Sequence, residues 1–231
     1  MRVRKTTGRL VAATTAGLLL AGCGGGSDFA SQSSTDIIAA ARDAMADVES
    51  VRLTGEVPED AGPITLDVRA SRGGDCTGSI SVEGATVEIL SVDGETLIRP
   101  DEAFWQQQAG EGAADIIAAV GDRWVSTGDD DGFAELCDLD QLFDELGADA
   151  DEDDAGEVGE TSEIDGREVV AVAGEEDGGT ATAFIATDDP HHILRLTFSG
   201  DEEGQVDLTE FNEPVEVERP ADDEITSFDE L

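Results

Sequence analysis

The sequence predicts an α+β domain whose sheet is antiparallel. Three observations lead there. Short runs of alternating apolar residues recur about every 10–12 residues, Asp-Gly pairs fall between some of them, and helical periodicity is confined to one leading segment and one middle segment. Strands that follow one another this closely leave no room for the crossover helices a parallel sheet requires.

The chain opens on an export segment. Arg2, Arg4, Lys5 and Arg9 precede an uncharged, mostly apolar stretch from Leu10 to Ala21 that ends in Leu18-Leu19-Leu20. A basic start followed by a short apolar run is the layout of a secretory signal. A helix of that stretch would rise only about 18 Å, short of the roughly 20 residues a bilayer crossing needs. Leu20-Ala21-Gly22-Cys23 resembles the bacterial lipobox. Small residues at Ala21 and Gly22 let an extended backbone enter a peptidase, and the Cys23 thiol is the nucleophile that takes the lipid. The expectation is a signal peptide over 1–22, cleavage before Cys23, and a diacylated (palmitate-type) cysteine, usually with a third acyl chain. That lipid would hold the protein on the extracytoplasmic face of the cell membrane. Two or more acyl chains make such attachment lasting. Residues 23–35, beginning Gly24-Gly25-Gly26-Ser27, read as a flexible tether, and 36–231 as one domain.

After the tether, Ile37, Ala41, Ala44 and Val48 fall near one face of a helix over 36–48, with Ser34 or Thr35 as its cap. Alternation follows at once: Val51, Leu53, Gly55 and Val57; Ile64, Leu66, Val68 and Ala70; Cys76, Gly78, Ile80 and Val82; Ala85, Val87, Ile89 and Ser91. Asp93-Gly94 signals a hairpin into Thr96–Ile98. The middle turns helical at Phe104-Trp105 and over 113–120, with a short strand at Arg123-Trp124-Val125. A single amphipathic helix is expected over 133–146, ended by Gly147. Strands resume from Thr161 through an Asp165-Gly166 turn. Leu194, Leu196 and Phe198 should share one side of a later strand. Val206–Leu208 and Val215–Val217 should close a sheet of roughly ten strands.

Charge excludes whole classes of partner. The 231 residues carry 55 acidic and 13 basic side chains, for a net charge of −42. Every acid lies beyond residue 22, against nine bases there, all arginine. Phosphate backbones would be repelled, so nucleic acid is not expected as a partner. The acids are spread over nearly every segment, which favours a solvated acidic surface over one binding patch. Cys76 and Cys137 remain beyond the lipobox, and two thiols in one small exported domain predict a disulfide; two unpaired buried thiols are the alternative.

No enzyme constellation, metal site or cofactor motif emerges. The only histidines, His191 and His192, are adjacent and would point to opposite faces of a strand. No Gly-x-Ser-x-Gly elbow is present. Asp149, Asp151, Asp153, Glu157 and Glu160 match five positions of a calcium-loop template. Asp154, however, stands where that loop needs glycine, and Gly156 where it wants an apolar residue; an acidic loop is the simpler expectation. The aromatic residues Trp105, Trp124, Phe133, Phe143 and Phe198 are candidates for core or for the lining of a pocket.

The order of lipobox, tether, helix, strands, helical middle and strands resembles the LolA-like fold of the LppX/LprG group of actinobacterial lipoproteins. The resemblance rests on Leu20-Ala21-Gly22-Cys23, the helix-to-strand join Ala44–Val51, Gly121-Asp122-Arg123-Trp124-Val125, and the segment Leu208–Val217. It implies a strongly curved sheet, an incomplete barrel, with helices covering the concave face. It further implies an apolar cavity between them that takes a lipid or another amphiphile. Many inward positions here are Ala, Val or Gly, which either enlarges such a cavity or lets the helices settle and close it. In the second case the protein would be a tethered, non-enzymatic binding or assembly module acting through its acidic surface.

Overall fold

The computed structural model describes residues 26–58, 62–128, 132–143, 156–176, 179–200 and 203–228. Cys23 lies outside them, as do Asp149, Asp151 and Asp153 of the acidic loop. Twelve strands form one sheet: β1 Ser50–Val57, β2 Ile64–Ser71, β3 Cys76–Val82, β4 Ala85–Val92, β5 Glu95–Pro100, β6 Trp124–Ser126, β7 Glu157–Ile164, β8 Arg167–Glu176, β9 Gly179–Ala186, β10 Ile193–Gly200, β11 Gly204–Thr209 and β12 Ile225–Ser227. Their spatial order is β12-β6-β5-β4-β3-β2-β1-β11-β10-β9-β8-β7. All neighbours are antiparallel except β12, which runs parallel to β6. The edge strands β12 and β7 do not pair, so the curved sheet stays open. β1 joins its halves, with Leu53 opposite Val68 of β2 on one side and Leu208 of β11 on the other.

Turn chemistry sets the hairpins. Asp93 and Gly94 have φ of 54° and 78°, and Asp165 and Gly166 of 50° and 80°, the left-handed pair that a two-residue hairpin demands. Glu83-Gly84 makes a third such turn (48°, 83°), at a place where glutamate gives no turn signal. Gly55 and Gly78 matter for curvature. A Cβ on Gly55 would stand 1.9 Å from the Gln205 carbonyl oxygen, and one on Gly78 2.2 Å from that of Asp67. Bare backbone at these mid-strand points lets the neighbouring strand approach closely.

Among the described residues six α-helices accompany the sheet: α1 Gly26–Phe29, α2 Ser34–Ala46, α3 Glu102–Ala109, α4 Ala113–Val120, α5 Gly132–Glu135 and α6 Leu139–Phe143. The tether expected to run to residue 35 is therefore structured from Gly26. Phe29 is only 5% exposed, packed with Ile37 and Ala41 of α2 against Val170, Val172 and Ile185. The α2 cap is Ser33, whose hydroxyl oxygen accepts from the Asp36 amide at 3.2 Å, one residue before the expected choice.

Three further expectations are corrected. The helix predicted over 133–146 is broken into α5 and α6. Asp138 Oδ1 accepts from the amides of Asp140 (2.9 Å) and Gln141 (3.2 Å) and so starts a new helix. Leu194 does not share a side with Leu196 and Phe198. A bulge between Ile193 and Arg195 turns Ile193 inward and sends Leu194 to the outer cluster of Val169 and Ala186. Val215–Val217 is not a strand; Val217 packs on the outer face beside Leu90, Val92 and Leu97, and the last pairing comes from β12.

Candidate functional site: the covered concave face and its cleft

The concave face is continuous and apolar at its centre. Val51 and Leu53, Val68, Ile89, Ile98, Val125, Leu196 and Val206 point into it from seven strands. Met45 and Val48 at the end of α2, Trp105 of α3, Val120 of α4 and Leu139 and Phe143 of α6 meet them from above. Each fully buried branched side chain contributes about 1.5–3 kcal/mol. Burial of this face therefore holds the helices down without any one contact being decisive.

Two covalent and ionic ties hold the α5–α6 segment. Cys137, just before α6, is joined to Cys76 at the start of β3, with Cα atoms 5.4 Å apart. Arg72, in the β2–β3 turn, donates to the carbonyls of Val48 (2.7 Å) and Ala46 (2.9 Å) at the end of α2 and pairs with Asp140 of α6. Cations at a helix C-terminus satisfy its open carbonyls and its dipole. One side chain thus fastens two covering helices to one sheet turn.

Beside these ties the space between sheet and helices opens as a cleft of about 320 Å³. Ser91 and Thr96 line it from the sheet, Arg72 and Gly74 from the β2–β3 turn, and Cys137, Asp138, Leu139 and Asp140 from the helical side. Ser91 and Thr96 are cross-strand partners flanking the Asp93-Gly94 turn and are 5% and 8% exposed.

The expected pocket residues divide. Trp105 and Phe143 are buried in the concave cluster, and Phe133 and Phe198 are half-buried against it. Trp124 is on the other face: neighbouring Val125 points inward, while the Trp124 ring packs near Leu90, Val92 and Ile225 under the Arg99 guanidinium, 4.6 Å from its centroid. The two histidines do separate to opposite sides. His191 stacks on Phe29 at 3.7 Å, and His192 on Phe211 at 4.2 Å. Sequence reading did not single out Arg72, Asp140 or Thr96. Ser91 carried a legible signal, holding the inward parity of Val87 and Ile89.

Among the described residues, Arg52, Arg69, Arg72, Arg99, Arg195 and Arg219 pair with carboxylates. Arg52 makes two 2.9 Å bonds to Asp67 and one of 3.0 Å to Glu210, which also accepts from Arg69 at 2.6 Å. These bonds hold Asp67 and Glu210 below the ordinary carboxylate range, Asp67 chiefly through Arg52 and Glu210 chiefly through Arg69. Arg195 with Asp207, Arg99 with Glu88, Arg219 with Glu95, and Arg72 with Asp140 account for the others. Most of the other described carboxylates are exposed. Glu157 and Glu160 of the acidic template lie on the exposed edge strand β7. Among the described residues no three His, Cys, Asp or Glu side chains converge as a metal site.

An open, strongly curved, largely antiparallel sheet with helices over its concave face is the α+β architecture of LppX-type lipoproteins. The chain is similar to the crystal structure of lipoprotein LppX from Mycobacterium tuberculosis, with a TM-score of 0.51 and 18% identity over 80% of this chain and 98% of that one. It is equally similar to LprF from Mycobacterium bovis, with a TM-score of 0.51 and 16% identity over 81% and 97%. At such identities the likeness is one of fold. No protein-family model matches the chain, and no curated protein does. No described helix is long and apolar enough to cross a membrane.

Proposed function

We propose that the protein is a non-enzymatic lipoprotein of the cell envelope, anchored through an acylated Cys23, that holds the acyl chains of a lipid or amphiphile between its curved sheet and covering helices. One observation supports this most: an apolar concave face roofed by short, separately tethered helical segments, with a cleft beside them. Concave apolar surfaces with a few polar groups at the mouth are the usual form of small-molecule sites. The lipobox and the basic, apolar leader support the anchor, because the thiol and the small residues before it are what lipidation and cleavage require.

The test is native mass spectrometry of protein carrying Cys23→Ser, so that no lipid is attached covalently. A bound mass that organic extraction releases as acyl lipid is expected. Protein that remains at its bare mass, both as purified and after incubation with lipid extract, contradicts the reading.

A further inference from the structure

We infer that the cleft beside the Cys76–Cys137 bridge is a headgroup site for an uncharged, hydroxyl-rich amphiphile and that it discriminates against anionic headgroups. This rests on the carrier reading above and adds which end of the ligand sits where, and of what chemistry.

The concave face has one polar end. Reading across β3, β4 and β5, the inward row nearest the cleft is Cys76, Ser91 and Thr96, and the next row is Gly78, Ile89 and Ile98. Further along the same two strands the inward pairs are Ile80 with Val87, then Val82 with Ala85. Polarity therefore falls off steeply from the cleft inward. An amphiphile lying along this gradient puts its chain under the helices and its head beside Ser91 and Thr96.

Those two hydroxyls set the ligand chemistry. Both side chains are more than nine-tenths buried, and neither hydroxyl has a hydrogen-bond partner among the described residues. Neither hydroxyl is sealed off from the cleft, and a hydroxyl can both give and accept a bond. A polyol such as glycerol or a sugar matches that capacity.

Charge removes the alternative. Arg72, the one cation among the described residues that line the cleft, is committed to the α2 carbonyls and to Asp140. Asp138 and Asp140 add two carboxylates to the same wall. A phosphate would meet net negative charge and no available guanidinium, whereas an uncharged head meets no repulsion.

The test measures uptake of fluorescent diacyl probes with identical chains: monoglucosyl-diacylglycerol, phosphatidylglycerol and headgroup-less diacylglycerol. The intact protein should bind the glucosyl probe about tenfold more tightly than phosphatidylglycerol. The near-isosteric pair Ser91→Ala with Thr96→Val should lose that preference while keeping the headgroup-less probe. Asp140→Asn, which removes a carboxylate and releases Arg72, should gain affinity for phosphatidylglycerol, a gain that misfolding cannot mimic. Equal binding of both headgroups, or a preference untouched in the double variant, overturns the headgroup site and leaves the carrier reading standing. Displacement of the probe by glucose alone also overturns it, assigning the cleft to a soluble sugar. Failure of all three probes to bind removes the carrier reading and the headgroup site together.

Discussion

Arg52 and Arg69 stand directly opposite each other across β1 and β2, and both guanidinium groups close on one carboxylate, that of Glu210. Two like charges in register would push the central strands apart. Glu210, at φ 53° just past β11, reaches back over β1 to neutralise them, and Asp67 takes the remaining face of Arg52. Next to it, Asn212 accepts from the Glu49 amide at 2.7 Å, so the whole segment clasps the start of β1.

Glu210→Gln is accordingly expected to lower the denaturation midpoint more than Asp67→Asn, since it leaves two arginines facing each other rather than one partly served. Acid should do the same. Both carboxyls are held below their ordinary values (4.5 for Glu210, 3.8 for Asp67), so their stabilisation is complete above those values and is lost as pH falls through the lower folded ones. Chemical denaturation of the two variants across the acid range checks the ranking; equal midpoints would refute it.

His192 gives a second pH dependence. The ring is 6% exposed against Phe211, and burial, aided by Arg167, lowers its affinity for a proton below the ordinary 6.5. The unfolded chain then binds a proton that the folded one refuses. Stability is full above 6.5 and declines as pH drops toward the folded value. His192→Phe should flatten the change in midpoint between about pH 7.5 and about pH 5.5; an unaltered slope would assign that dependence elsewhere.

Strand curvature is testable at glycine. Gly78→Ala would drive a Cβ into the β2 backbone and should cost on the order of 1–3 kcal/mol. Gly112→Ala meets nothing within 4 Å at a negative φ and should be neutral or stabilising by about 0.5 kcal/mol. Urea unfolding of the two variants decides it.

The Cys76–Cys137 bridge spans 61 residues, and in the chain-entropy picture its loss costs about 4 kcal/mol. The variant with both cysteines changed to serine should show that loss, with backbone amides of α5 and α6 exchanging hydrogen faster than those of β8 and β9. Uniform exchange across the chain would mean that the bridge does not fasten the cover locally.

Much of this architecture was legible because alternation and Asp-Gly turns are local signals. β1 through β4 follow their inward residues, β5 follows its Asp-Gly turn, and the disulfide pairing followed from cysteine count and the expected export. What escaped reading depended on distant partners. The bulge at Leu194 is set by pairing with β9, the break in the 133–146 helix by Asp138 capping a segment tied to β3, and the place of Phe29 by a stack on His191. Trp124 could not be placed, since a three-residue strand has no alternation to reveal its parity. The polar end of the concave face was half visible: Ser91 fell on the inward pattern, but its neighbour Thr96 meets it only once the hairpin closes.

The two tryptophans offer the most direct test of whether acyl chains occupy the concave side. Trp105 lies within that cluster and Trp124 on the opposite face. A monoacylglycerol brominated along its chain, added to the Trp124→Phe protein, should quench the remaining Trp105 strongly, and should leave Trp124 bright in the Trp105→Phe protein. Quenching of Trp124 alone, or of neither ring at saturating probe, would contradict a ligand held between sheet and helices.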